Sequence, residues 1–373
     1  MAGNPRTREE IVTSRAPAQS SRRGELVLVA FGVWMIVGLF LDGWAHNAQR
    51  PDSFFTPWHA VLYSGFLGAV GSALWLVEGR RSPGMRWRVA IPPGYGATFA
   101  GLALFATGAT GDLLWHQVLG IEANLAALLS PTHLMLMTGG ALALTGPLRT
   151  AWRAPSTNPP LGTFLPALGS VTLSTGLGIF FTLYLSPFGQ TVVPRFEPAR
   201  TDVHDLSTMT PSAFVQLREN WAVGAILFTT VLVLAPVLLL LRRWRVPPGS
   251  LFTYFAAIAT FEAAASEFRR WPLALAVLAA GIAAEACARR TPVLVTAVVV
   301  PGVMWLSYFA VVAIVYGMGW SAELWTGSVV LSCLVGAGLG LLIAPLAPPL
   351  PVSTPEPTDL DDGRIPAEYD ILS

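Results

Sequence analysis

The chain has 373 residues, 53% of them hydrophobic and 12% charged, with a formal net charge of +1. Its mean hydropathy is +0.56. A soluble domain carries about a quarter charged residues, so the composition excludes an ordinary soluble protein and describes an all-α polytopic integral membrane protein. A net charge this small gives no basis for a nucleic-acid partner. The lipid bilayer is the expected partner, with membrane or extracytoplasmic proteins as further candidates.

All 23 basic residues are arginine, a codon-composition signal for a bacterial cell (inner) membrane. Residues 1–24 are polar and read as a disordered tail. A spanning helix needs roughly 20 apolar residues, and about ten stretches qualify. The first five cover residues 26–46, 57–78, 94–116, 131–149 and 164–185. A long polar loop, 186–218, follows. The remaining five cover 221–241, 251–266, 272–287, 293–316 and 325–346. Residues 347–373, rich in proline and aspartate, read as a second tail. Cys287 and Cys333 lie in apolar runs and read as small core residues, not as a disulfide.

Arginine placement orients the helices through the positive-inside rule. Arg22 and Arg23, Arg80 to Arg88, Arg149 and Arg153, Arg242 to Arg245, and Arg289 and Arg290 all fall at one end. That end, and both termini, are expected in the cytoplasm. Arg269 and Arg270 break the rule, which makes the helices on either side of them the least regular part of the pattern.

The chemistry-bearing residues recur as a pair of stretches. Asp42-Gly-Trp-Ala-His46 is followed by Thr56-Pro-Trp-His59 and Gly65; Asp112-Leu-Leu-Trp-His116 is followed by Ser130-Pro-Thr-His133 and Gly139. Four of the five histidines lie here. Residues 25–150 therefore read as two tandem metal-binding helix hairpins, and residues 151–346 as the remaining bundle. Asp and His four apart share one helix face. A carboxylate near the negative C-terminal end of a helix is disfavoured unless a cation compensates it. Thr56 and Ser130 are N-caps, each followed by proline at the first helical position. His59 and His133 then sit at a positive helix N-terminus, which favours neutral imidazole, the form that binds metal. Each hairpin supplies one carboxylate and two imidazoles, a set suited to zinc, non-haem iron(II) or copper.

The pattern Asp42-x(3)-His46-x(12)-His59, ending in Phe55-Thr-Pro-Trp-His59, resembles the metal site of a membrane-embedded component of the particulate methane and ammonia monooxygenase superfamily. Trp115-His116-Gln117 is similar to a second motif of that family, although sixteen residues separate His116 from His133. The resemblance covers 42–65 and 112–139. It implies a copper site in or near the membrane and a copper-dependent oxidation of a small substrate with O2. A non-enzymatic protein that binds or passes metal is the competing class. Haem ligation by facing histidines fits the accompanying aspartates poorly.

Other ionisable residues on the expected outer side have blander readings. Glu122 is a solvated loop acid or an added ligand, and His204 lacks a carboxylate four residues before it. Glu197, Asp202 and Asp205 share its loop. Glu262 and Glu267 are expected to pair with Arg269 and Arg270. Trp44, Trp58 and Trp115 read as interfacial aromatics.

The orientation is testable by labelling intact cells with an impermeant thiol reagent, in a background lacking both native cysteines. Asn47→Cys should react, and Arg86→Cys and Ser353→Cys should not. The reverse pattern inverts the topology.

Overall fold

The structure is a computed structural model that describes residues 21–48, 50, 56–120, 124–189 and 211–343. It is all-helical over these residues. The helices are α1 (Arg22–Asn47), α2 (Pro57–Glu78), α3 (Trp87–Ala90), α4 (Gly96–Leu119), α5 (Asn124–Leu129), α6 (Pro131–Leu144), α7 (Gly146–Arg153), α8 (Leu161–Phe181), α9 (Pro211–Arg243), α10 (Ser250–Ala265), α11 (Trp271–Cys287), α12 (Val293–Val311) and α13 (Ala322–Ile343). Both expected tails lie largely outside the described residues, although α1 already begins at Arg22.

Seven of these helices are long and apolar enough to cross a membrane: α1, α2, α4, α8, α9 (counted from Val215), α12 with its terminal π turn, and α13. Three of the expected ten are shorter. The fourth stops at Leu144, where Thr145 leaves the helix and Gly146-Pro147 start α7. A proline at a helix start restarts the hydrogen-bond ladder, because it has no N–H to donate backward. The seventh and eighth, α10 and α11, have 16 and 17 residues. The expected polar loop 186–218 also shortens, since α9 begins at Pro211.

Two apolar clusters organise the core. One gathers Leu28, Met35, Ile36, Leu62, Phe66, Phe105, Leu136 and Leu144 with Leu173, Leu177, Phe180 and Phe181 of α8. The other gathers α9 to α13 around Trp305, Tyr254, Phe255 and Tyr308, with Phe164, Leu168, Val171 and Ile179 of α8. Helix α8 is thus the seam between them and the most buried of the seven long helices. In hydrocarbon its hydroxyls must find partners inside the chain. Thr172 and Thr175 donate to the carbonyls of Leu168 and Val171, one turn back.

Within the first cluster, α1 pairs with α2 and α4 with α6. Both pairs approach at glycine. A Cβ on Gly38 would stand 2.4 Å from the Leu62 nitrogen, and one on Gly65 2.6 Å from the Met35 nitrogen. On the other pair, a Cβ on Gly108 would meet the Leu136 nitrogen at 3.1 Å, and one on Gly139 the Phe105 nitrogen at 2.5 Å. The offsets are the same in both. Gly38 and Gly108 lie four residues before Asp42 and Asp112, and Gly65 and Gly139 lie six residues after His59 and His133. Small residues at the crossing let helix backbones touch in an apolar medium.

At the end opposite these aspartates, arginines knit the loops together. Arg149 donates to the carbonyls of Gly94 and Leu142 and to Thr98. Arg243 donates to the Trp152 carbonyl, and the Arg245 N–H to that of Thr157.

The glycine contacts set the separation of Asp42 from His59 and of Asp112 from His133. Gly65→Ala and Gly139→Ala each place a methyl group against backbone. Each should destabilise the protein by about 1–3 kcal/mol, as overpacking does, in thermal unfolding of the detergent-solubilised protein. Gly71→Ala, whose Cβ meets nothing within 4 Å, is the neutral control.

Candidate metal centres

Asp42 lies a turn and a half before the end of α1, and His46 follows on the same face. Their atoms Oδ1 and Nε2 are 3.7 Å apart. Across the α1–α2 pair, His59 brings Nε2 to 3.1 Å from the same oxygen. Thr56 is the N-cap of α2, with Pro57 at the first position, but its hydroxyl makes no capping bond. It sits 3.0 Å from His59 Nδ1 instead. The helix start that the sequence signals is therefore used to hold an imidazole.

The second set repeats this plan with different detail. His116 Nε2 is 3.2 Å from Asp112 Oδ2. His133 Nδ1 is 3.5 Å from Asp112 Oδ1 and 2.7 Å from the hydroxyl of Ser130, the N-cap of α6. Thr132 donates to Asp112 Oδ1 at 2.9 Å. The His116 and His133 rings meet edge to face at 6.3 Å.

Asp42, His46 and His59 form one group of donors and Asp112, His116 and His133 another, each with its ligand atoms within 4.8 Å of one another. The six residues singled out in the sequence are thus brought together as two sets of three, not one set of six. Ligands held about 2.1 Å from a first-row metal in tetrahedral geometry stand about 3.4 Å apart. In the first set the two imidazole nitrogens stand 3.7 and 3.1 Å from the one oxygen, Asp42 Oδ1, close to that edge.

The electrostatics point the same way. Asp42 and Asp112 are 8% and 4% exposed. Among the described residues, their ion-pair partners are imidazoles alone, with no arginine. A buried carboxylate without compensation is costly. Among the described residues nothing donates a hydrogen bond to the buried Asp42 Oδ1, although two imidazole nitrogens face it. At His116, Nδ1 lies 3.4 Å from the Gly120 carbonyl. Nε2 lies 3.2 Å from Asp112 Oδ2. Both of these oxygens only accept, so a neutral ring with one proton can satisfy one of them, and the other contact is relieved by a second proton or by a cation. Metal-bound histidines characteristically donate their second N–H to a carbonyl or carboxylate in this way.

Both sets border one cavity of about 30 Å³, room for roughly two water molecules. Asp42, His59, Asp112 and His133 line it, with Tyr63 and the apolar Met35, Leu39, Leu62, Phe105, Leu136, Leu177 and Phe181. Tyr63 lies one turn after His59 and within electrostatic reach of both carboxylates. Sequence reasoning passed over Tyr63 and Thr132. The signal for Tyr63 was its four-residue offset from His59, which puts both on one helix face.

Other expected residues do not join the site. Glu267 pairs with Arg269 as expected. Among the described residues Glu262 does not pair with arginine; it accepts from Ser186 at 2.7 Å. Arg270 donates to the Gly189 carbonyl, so this charge is spent on a loop. Cys287 and Cys333 are free and half-buried. Glu122, Glu197, Asp202, His204 and Asp205 lie outside the described residues. Trp44 is exposed and stacks under Arg50, whereas the Trp58 indole nitrogen is buried.

No protein-family model, curated protein or solved structure matches the chain at a significant level. The resemblance to the monooxygenase superfamily therefore rests on the motif residues themselves.

Asp42→Asn discriminates a cation site from a helix-packing ion pair. It removes the buried charge and supplies an N–H. The metal-free protein should gain roughly the 1–3 kcal/mol that an unsatisfied buried acceptor costs, and added metal should no longer raise its melting temperature at that set. A large loss of stability would mean that Asp42 is neutralised by an imidazolium.

Proposed function

We propose that the chain is a multi-pass membrane metalloprotein whose Asp42–His46–His59 and Asp112–His116–His133 sets each hold a copper ion, and that it is an oxidoreductase. The observation that carries this is the convergence of carboxylate oxygens and imidazole nitrogens at two buried sites, with no arginine among the described residues to compensate either charge. Copper is favoured by the imidazole-rich donor set, since copper(II) outranks the other divalent first-row metals in affinity for such ligands, and by the resemblance to the monooxygenase superfamily. When bound, copper supplies one-electron redox chemistry and a position at which O2 can coordinate.

The protein's own contribution is geometric. Three ligands per set leave a coordination position open. The apolar walls of the cavity keep bulk water from it, and Tyr63 offers one hydroxyl beside both carboxylates. A resident centre is favoured over a transport route because, among the described residues, no third cluster of three His, Cys, Asp or Glu donors continues across the bundle.

The equal offsets of the glycine contacts support reading residues 25–150 as a duplicated hairpin, with 151–346 as its supporting bundle. Adding the three shorter helices to the seven long ones gives ten passes. That count leaves both termini on the arginine-rich side, which the positive-inside rule assigns to the cytoplasm, and the metal sets at the outer face of a bacterial inner membrane.

Metal analysis of the purified protein tests the reading. Wild type should hold two copper ions, His59→Ala and His133→Ala one each, and the double variant none. A protein with stoichiometric iron and no copper would be a non-haem iron protein. Loss of both ions in either single variant would mean one shared centre. With a reductant present, the copper-loaded protein should consume O2 and His59→Ala should do so more slowly. Copper binding without O2 consumption would leave metal storage or transfer as the function.

A further inference from the structure

Position 132 separates the two sets. In the second set it is threonine; in the first the equivalent residue is Trp58, whose indole nitrogen is buried without a hydrogen-bond partner among the described residues. Four polar groups then form a continuous chain: Asp112 Oδ1, Thr132 Oγ1 at 2.9 Å, Ser130 Oγ at 3.2 Å, and His133 Nδ1 at 2.7 Å. The proton order along it follows from counting donors. A hydroxyl has one proton to give. The carboxylate oxygen accepts, so Thr132 spends its proton there. Ser130 must then be the donor to Thr132. With that proton spent, Ser130 Oγ accepts from the histidine, whose proton must be on Nδ1. Ser130 also receives the backbone N–H of His133 at 3.4 Å.

We propose that Ser130 and Thr132 form a hydroxyl relay that locks His133 in its Nδ1–H tautomer and orients Asp112, which leaves Nε2 as the ring nitrogen whose lone pair can serve a metal. In the first set Thr56 likewise reaches His59 Nδ1 at 3.0 Å, but Trp58 stands where Thr132 does, so that position supplies no hydroxyl to link Thr56 to Asp42. Thr132 and Ser130 are positioning residues: each acts through a ligand. The tautomer claim stands on hydrogen bonds alone; its consequence for affinity rests on the metal-binding reading above.

Nitrogen NMR of the full-length protein, labelled with 15N-histidine and kept metal-free in detergent, reads the tautomer directly. The measurement is made at about pH 8.5, roughly two units above the ordinary imidazole pKa, and His133→Ala assigns the signal. Wild type should show His133 as the Nδ1–H form. Thr132→Val and Ser130→Ala should each give a mixture with the Nε2–H form, and Thr132→Ser should restore the wild-type signal. In parallel copper titrations followed by electron paramagnetic resonance, Thr132→Val should weaken one of two sites by roughly 10–100-fold, the usual effect of removing such a partner. The other site should be unchanged.

An Nδ1–H signal that persists in Thr132→Val overturns the relay, as does a Thr132→Val protein that loses both sites equally while Thr132→Ser keeps them. A tautomer that shifts as expected in a protein that takes up no copper upholds the relay and sinks the metal-binding reading instead.

Discussion

Two carboxylates are buried at the wrong ends of their helices. Asp42 and Asp112 sit near the C-termini of α1 and α4, where exposed carbonyls already make the potential negative, and where no arginine reaches them among the described residues. Such a group is sustained by cation chemistry or it loses its charge. Four imidazoles meet the two carboxylates, each with an atom 3.1 to 3.7 Å away. Much of the surrounding architecture serves to hold those separations.

The holding is done by backbone. Gly38 and Gly65 bring α1 against α2, and Gly108 and Gly139 bring α4 against α6. Helices that touch at glycine have little freedom to slide, because any shift drives backbone into a neighbouring side chain. The ligands stand one to two turns from these crossings, so the crossings set the ligand geometry. The N-caps complete it: Thr56 and Ser130 turn their hydroxyls toward the imidazoles of His59 and His133. A capping residue has thereby been given a second task, to orient a ligand.

The rest of the bundle supports the site from behind. Helix α8 carries Leu177 and Phe181 into the cavity wall and packs its other face on α9 and α10. The root of the loop that follows α8 is clamped by Ser186 to Glu262, by Tyr308 to the Pro187 carbonyl, and by Arg270 to Gly189. At the other end Arg149 ties the turn at Gly94 to α6, and Arg243 ties the end of α9 to α7. The carboxylate–imidazole sets thus lie at the end opposite Arg149 and Arg243.

Local rules were enough to read several features from the sequence. Period 3.6 puts Asp42 beside His46 and Asp112 beside His116, and Ser/Thr-Pro fixes where α2 and α6 begin, which places His59 and His133 at the helix mouths. Apolar length identifies a helical membrane protein. Each of these depends on residues within about one turn of one another, or on one uninterrupted run. Tertiary packing decided the rest. Whether an apolar run is one long helix or two short ones turned on Thr145-Gly-Pro and on the short α10 and α11, where hydropathy alone does not register the break. That both sets face a single cavity depends on how α2 meets α4 and α1 meets α6, contacts between residues far apart in the chain. Tyr63 acquired its place by the same packing. Thr132 acquired its partner because Asp112, twenty residues away, comes within 2.9 Å of it. A hydroxyl beside a proline carries no mark in the sequence of which acceptor it will meet; only the closed helix pair supplies one.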